Sequence, residues 1–164
     1  MLDDGSGRAV GYVICAPDTR DFVTRYKEQF WSIVARHGIS NPANETTEDD
    51  GLAFEFRKLV YEPEHMLQAE YPALLRDYPA HLHIDILPSH QGQGWGEKML
   101  NALLQELRAA GVRGVHLGMV AENHRAHKFY DRLGFERFKG MEEYGEPGRK
   151  GGSVYRVKKT RANV

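Results

Sequence analysis

The chain is short of the features that announce several protein classes. It holds a single cysteine, Cys15, in 164 residues, so no intrachain disulfide can form and a disulfide scaffold is excluded. A lone thiol fits a reducing compartment, which predicts a cytoplasmic location and leaves the nucleus open. Net charge is also lacking: 22 Lys and Arg stand against 23 Asp and Glu, a formal −1. No whole-molecule field draws in a phosphate backbone or an acidic lipid, so neither nucleic acid nor a membrane is expected as a partner. No apolar run reaches the roughly 20 residues of a membrane span, and Asp3 and Asp4 stand where a signal peptide would be basic. Repeats and low-complexity stretches are absent as well. What is present is 41% hydrophobic residues, enough to bury one core, and a single domain over 1–164 is expected.

The apolar pattern changes period several times. Ala9 to Cys15 is a short β-branched run bounded by Gly5, Gly7 and Pro17, and reads as a strand. Phe22, Tyr26, Phe30, Ile33 and Val34 then recur at helical spacing behind Asp18 and Thr19 as caps, and the pattern stops at His37 and Gly38. Ser40 to Asp50 is a polar, acidic surface loop. Leu52 to Tyr61 suits a helix capped by Asp50 better than a strand, and Pro63, Pro72 and Pro79 cut Glu62 to Ala80 into short helical pieces. From His81 the order is more regular: a strand to Leu87 stopped by Pro88, a glycine-rich loop, and a helix with Met99, Leu100, Leu103, Leu104 and Leu107 on one stripe and Gly111 past its end. A strand through Val115, Leu117 and Met119 follows. Asn123 then opens a helix with Ala126, Phe129, Tyr130 and Leu133 on one face and Gly134 past its end, and Phe135 to Met141 with Ser153 to Lys159 reads as a hairpin. Strand, glycine loop, helix, strand, helix is an α/β unit with parallel neighbouring strands.

Two places carry chemistry. Gln91 to Gly96 puts glycines at 92, 94 and 96 between a strand and a helix N-terminus, where several backbone N–H groups can converge on one anion. A Walker loop would need a terminal Gly-Lys-Ser/Thr, and a dinucleotide fingerprint would need G-x-G-x-x-G with an acidic ribose ligand; neither is present. The bland reading of this loop is a tight turn that uses glycine. The second place is the strand itself, where His81, His83 and Asp85 share one face and Leu82, Ile84 and Ile86 the other. A central parallel strand is ordinarily apolar on both faces, so this polar row predicts a groove, in which Asp85 or His83, directly or through water, takes a proton from an amine. Asp85 equally suits the plainer task of orienting a histidine or a loop amide.

The string HIDILPSHQGQGWG resembles the GNAT acyltransferase signature Q/R-x-x-G-x-G/A, and NHRAHKFYDRLGF from Asn123 to Phe135 continues the resemblance, so that roughly residues 81 to 140 are covered. The resemblance implies a GNAT-type α/β (α+β) mixed sheet flanked by helices, with acetyl-CoA as co-substrate and a small-molecule or protein amine as acceptor. It places Ile86 and Leu87 on the pantetheine arm through their backbones, Gln91, Gly92, Gln93, Gly94, Trp95 and Gly96 around the pyrophosphate, and Asn123, Ala126 and Phe129 along the arm. Tyr130 matches the family tyrosine beside the thioester sulfur and is the implied acid, although its place on the apolar face of its helix equally suits a core aromatic; the base expected beside it is Asp85, from the polar row on the strand. H-x-H-x-D is also similar to the start of a metallo-β-lactamase-type motif, but Ile86 stands where the next histidine belongs, and no metal is expected. The family's opening strand, two helices and strand are missing before Ala9, and a helical insertion fills 17–80. That insertion, with YPAHLHIDILP and GVHLG, resembles the acetyltransferase-like region of O-GlcNAc hydrolases and its stand-alone microbial relatives. Eukaryotic members of that subgroup are regarded as pseudo-acetyltransferases, so a non-catalytic acetyl-CoA-binding or interaction module is the alternative. The missing elements leave the edge of Ala9–Cys15 to be covered by a second copy, as a homodimer, or by a segment drawn from 17–80.

Overall fold

The computed structural model describes residues 1–44, 51–139 and 153–160. The described chain divides into two compact units, Met1–Pro17 with Ala73–Val164, and Asp18–Pro72. The first unit is built on a six-stranded mixed sheet in the order β1 (Leu2–Asp3), β2 (Ala9–Ala16), β3 (Ala80–Ile86), β4 (Gly114–Val120), β6 (Ser153–Lys159), β5 (Glu136–Arg137). Every neighbouring pair is antiparallel except β3 and β4, which are parallel and joined by α5 (Trp95–Ala109). That parallel crossover is the one the strand–loop–helix–strand pattern called for. After β4 comes α6 (His124–Arg132), opened by Asn123.

One side of the sheet is dry because period two and period 3.6 meet there. Ala80 and Leu82 of β3 and Val115 and Leu117 of β4 point to the same side, and Leu100, Leu104 and Leu107 of α5, Tyr130 of α6 and Phe135 pack on them. All of these residues are buried. Gly111 and Gly134 take left-handed backbone just past the two helices, as their C-terminal positions require.

The ladder between β3 and β4 is short. Among the described residues it holds Ala80 opposite Val115 and His81 opposite His116, and goes no further. Beyond that point β3 stays with β2 as far as Ile86 opposite Gly11, while β4 stays with β6 as far as Val120 opposite Ser153. The two strands therefore part, and a gap opens in the middle of the sheet at the C-terminal end of β3.

Several boundaries differ from those read in the sequence. The edge of β2 is met by β1, with Leu2 opposite Gly11 and Asp3 opposite Ala9, so the covering segment comes from before β2 and not from 17–80. A two-residue strand carries no periodic signal, which is why it escaped. The hairpin's first arm is paired over Glu136–Arg137, with the Phe138 N–H on the Tyr155 carbonyl at 2.9 Å, and its turn at 144–152 lies outside the described residues.

In the second unit, α1 (Thr19–Gln29) is capped by Asp18, whose carboxylate accepts from the Arg20 and Asp21 N–H groups at 2.8 and 3.2 Å. The single helix expected up to His37 is divided at Phe30, where α2 (Trp31–Arg36) begins. There the Ile33 N–H bonds the Phe30 carbonyl three residues back, a locally tightened turn within one apolar period. Leu52–Tyr61 is a helix, α3, begun by Gly51 without a side-chain cap, and residues 45–50 lie outside the described residues. The prolines divide the following stretch into a 3₁₀ turn, Pro63–Leu67, and α4 (Pro72–Asp77), which from Ala73 onward belongs to the first unit. No helix among the described residues is long and apolar enough to cross a membrane.

Gly114 marks where α4 and β4 touch. A Cβ there would lie 2.7 Å from the Asp77 carbonyl oxygen and 2.7 Å from Tyr78 Cδ1. Gly114→Ala is therefore expected to lower stability by about 1–3 kcal/mol, read as a fall in melting temperature. An unchanged melting curve would show that the turn before β3 gives way freely.

Candidate functional site

The parting of β3 and β4 leaves a cleft of about 780 Å³, walled by the end of β3, the glycine loop with the first turn of α5, and one face of α6. The direction of the β3 backbone groups follows from one bond. The Leu87 N–H donates to the Val10 carbonyl at 2.9 Å, so odd-numbered residues of β3 turn their peptide groups toward β2. Ile84 and Ile86 then turn theirs away from β2, toward the gap. A strand in the middle of a sheet thus exposes donors and acceptors of the kind normally found at an edge.

The glycine loop prepares the second wall. Gly92 and Gly94 have φ of +75° and +79°, left-handed values that residues with a Cβ adopt at a cost. Gly94 is the N-cap of α5 and the helix start has no side-chain cap, so the first N–H groups of a fifteen-residue helix face the cleft end without a capping side chain. A Cβ on Gly96 would come within 3.0 Å of Phe129 Cζ, which shows how closely α5 and α6 approach here. The loop is braced by its glutamines: Gln91 Nε2 donates to the Ile86 carbonyl at 2.7 Å and Gln93 Nε2 to the Ser89 carbonyl at 3.1 Å.

The third wall is α6, held from beneath by β6. Arg156, nearly buried, donates through Nη1 to Asp131 Oδ1 at 2.6 Å and through Nη2 to His127 Nδ1 at 2.5 Å. A guanidinium only donates, so Nδ1 accepts, and His127 carries its proton on Nε2 and gives it to the Ala121 carbonyl at 3.0 Å. Lys158 Nζ bonds the Leu133 carbonyl at the other end of the helix at 2.6 Å. With α6 fixed, Ala126, Phe129 and Tyr130 face the cleft. Asn123 caps the helix by accepting the Ala126 N–H at 3.0 Å, which uses its oxygen and leaves its amide N–H groups without a bond among the described residues.

The structure thus brings Asp85, Ile86, Gln91, Gly92, Gly94, Gly96, Asn123, Ala126, Phe129 and Tyr130 to one cleft. Leu87, Gln93 and Trp95 do not line it. Both backbone groups of Leu87 are engaged, the N–H with Val10 and the carbonyl with the His90 N–H at 2.8 Å, while Trp95 lies under Lys98, whose Nζ is 4.3 Å from the ring centroid. Arg125, Lys128 and Arg132 line the cleft and were not singled out from the sequence, although their spacing of three and seven places them on one stripe of α6.

The charges at the strand end differ from residue to residue. Burial pushes the Tyr130 phenol up to about 12, with the Asp85 charge adding to the effect, so Tyr130 stays protonated at neutral pH. Asp85 and His83 have side chains two-thirds exposed and lie 3.1 Å apart, Oδ2 to Nε2. His81 is different: burial, then the neighbouring His116 and His83, push it down to about 4, and it is neutral at pH 7. The polar row on β3 is thus a half-buried neutral imidazole followed by an open histidine–carboxylate pair. Cys15 is pushed up to about 12 by burial and is no nucleophile at neutral pH.

Comparison with known proteins gives three findings. The family model described as "Acetyltransferase (GNAT) family" matches residues 45–135, more than half of the chain. The crystal structure of SsHAT is 37% identical and superposes with a TM-score of 0.78 over 98% of this chain and 71% of that one. Among curated proteins, a mycothiol acetyltransferase of Actinosynnema mirum is 38% identical over 37% of this chain and 20% of its own length. A [ribosomal protein bS18]-alanine N-acetyltransferase of Haemophilus ducreyi is 31% identical over 43% of this chain and 48% of its own. The chain therefore spans between a fifth and a half of these two curated relatives.

The cap on α6 is testable without a ligand. Asn123→Ala is expected to cost about 1 kcal/mol of stability, and Asn123→Ser, which still accepts the Ala126 N–H, only a fraction of that. Equal losses in denaturant titrations of the two variants would assign the effect to the amide N–H groups instead.

Proposed function

Since the chain belongs to the acetyltransferase (GNAT) family, we propose that it transfers the acetyl group of acetyl-CoA to a primary amine on a small molecule or a protein. The observation that carries this reading is the cleft at the parted strands. One end offers uncapped helix N–H groups and left-handed glycines, β3 offers the Ile84 peptide groups and the Ile86 N–H, and Asp85 and Tyr130 line the same cleft. An extended arm with amide groups would bond along β3 as an added strand does, and a pyrophosphate would take the amides at Gly94, Trp95 and Gly96. Arg125, Lys128 and Arg132 supply positive charge to the phosphate-bearing half. Asn123 turns its unused amide N–H groups toward the arm.

The chemistry needs one base and one proton donor. Asp85 takes a proton from the attacking amine as its nitrogen forms the C–N bond to the thioester carbonyl. Tyr130, protonated because its phenol sits near 12, hydrogen-bonds and then protonates the thiolate as the C–S bond breaks. The buried ring of Tyr130, edge-on to Phe129 and Phe135 at 5.2 and 5.4 Å between centroids, holds that hydroxyl in place. No metal enters the scheme. The finer kinship, to the acetyltransferase-like region of O-GlcNAc hydrolases, rests on the strings YPAHLHIDILP and GVHLG and on the helical segment before β3. The likeness to SsHAT over nearly the whole chain supports that segment as a shared feature. Turnover is favoured over a non-catalytic module because the matched curated relatives carry acetyltransferase names.

Acetyl-CoA at about 100 times its dissociation constant is expected to stabilise the protein by about 2.7 kcal/mol, and no shift in melting temperature at millimolar ligand would end this reading. Gly94→Glu should lose the shift because its carboxylate occupies the anion position. Gly94→Ala carries the same left-handed strain without the charge and should keep it.

For the chemical step, transfer is measured on a panel: a peptide with a free alanine N-terminus, a lysine peptide and a small alkylamine. With the fastest of these, Asp85→Asn is expected to lower kcat by about 100-fold while acetyl-CoA still binds, and Tyr130→Phe to slow thiol release with its packing kept. An undiminished rate in Asp85→Asn would leave that residue a structural part only.

A further inference from the structure

Asp85 is held by a residue that belongs to none of the motifs in the sequence. Tyr12 on β2 stands directly opposite Asp85 in the β2–β3 register, on the same face of the sheet, and its phenol donates to Asp85 Oδ2 at 2.8 Å. His83 Nε2 lies 3.1 Å from the same oxygen, and the Tyr12 and His83 rings stack with planes 20° apart and centroids 6.1 Å apart. Both contacts therefore converge on Oδ2. Oδ1 accepts no hydrogen bond among the described residues.

This arrangement answers a physical difficulty. A carboxylate two-thirds exposed to water turns easily about its last torsion, which has no sharp minima. A base that wanders gives up the advantage of a fixed position next to the attacking nitrogen. Two contacts on one oxygen choose one orientation of the carboxylate plane and leave the other oxygen to accept the proton. The bond to Asp85 also holds the Tyr12 phenol above its usual value, so Tyr12 remains a donor throughout the neutral range. The neighbours on this face do not compete: Ile14, opposite His83, is apolar and exposed.

We propose that Tyr12 is a positioning residue for the acetyl transfer: by bonding Oδ2 of Asp85 together with His83, it fixes the carboxylate so that Oδ1 receives the amine proton. This role rests on Asp85 being the base put forward above. Tyr12 does not line the cleft and acts through Asp85 alone, so its removal should leave the acetyl-CoA site as it is.

The test is a double-mutant cycle with Tyr12→Phe and Asp85→Asn, assayed with acetyl-CoA and the fastest amine of the panel. Tyr12→Phe keeps the ring on His83 and removes the donor. It should melt like the parent, keep the acetyl-CoA-induced shift and the KM for acetyl-CoA, and lose about tenfold in kcat, the scale of one hydrogen bond to a charged group. In the Asp85→Asn background the same change should cost nothing further, because there is no carboxylate left to position. A Tyr12→Phe variant at the parental rate, with Asp85→Asn slow, overturns the role of Tyr12 and leaves the base intact. Equal losses from Tyr12→Phe in both backgrounds overturn it too, since the effect then bypasses Asp85. An Asp85→Asn variant at full rate removes the base, and the role of Tyr12 with it. The bond itself is read apart from activity: the phenol lost in Tyr12→Phe should titrate above the ordinary tyrosine value in the parent and return toward it in Asp85→Asn.

Discussion

Everything at this site depends on β3 and β4 ceasing to pair after two residues. A sheet normally satisfies its interior peptide groups through the next strand, and here that strand leaves with β6. The Ile84 peptide groups and the Ile86 N–H are left facing a gap, while the Ile86 carbonyl is taken by Gln91. The α5 and α6 helices close its two sides, one presenting its N-terminus and the other its small and aromatic face. If the two strands stayed paired to Ile86, the same residues would give an ordinary mixed sheet with its glycine turn, and no cleft between them.

Keeping a gap open takes rigid margins. On one margin Gln91 ties the loop back to the end of β3 through the Ile86 carbonyl, and Gln93 braces it on the following turn through the Ser89 carbonyl. On the other, Arg156 reaches from β6 to two residues one turn apart on α6, and its demand for acceptors dictates which nitrogen of His127 bears the proton. Lys158 does the same for the last turn of the helix. Apart from Gln91, which lines the cleft itself, the side chains that set it stand outside it, and local chain signals and long-range contacts share the placement.

That division also explains how far the sequence could be read. Gly92, Gly94 and Gly96 before a helix stripe, and Asn123 before another, are local features, and each shows in a string of a dozen residues. The parallel pair followed from the order of periods, as did the core on Leu100, Leu104 and Leu107, while the mixed sheet was implied by the family resemblance. The pairing of Tyr12 with Asp85 is different, because it joins positions 73 apart through strand register, and neither residue's neighbours announce it. The clamp of Arg156 on α6 is invisible for the same reason. Arg125, Lys128 and Arg132 form a stripe in the sequence, but a basic stripe on a helix is ordinarily a solvated face and does not by itself point to a site. Leu87, by contrast, was placed at the site by resemblance, and a single bond to Val10 shows its N–H already engaged.

The parted strands also make the centre of this sheet behave like a border. Amide protons in the middle of a six-stranded sheet usually exchange with solvent only when the domain opens, whereas those of Ile84 and Ile86 face the cleft with no strand against them. Their exchange is governed by what occupies the gap and not by the stability of the fold. The most central part of the sheet is therefore where its protection changes most on occupancy, and a bound chain lying there would mend the break, joining two halves of a sheet that the polypeptide itself leaves apart.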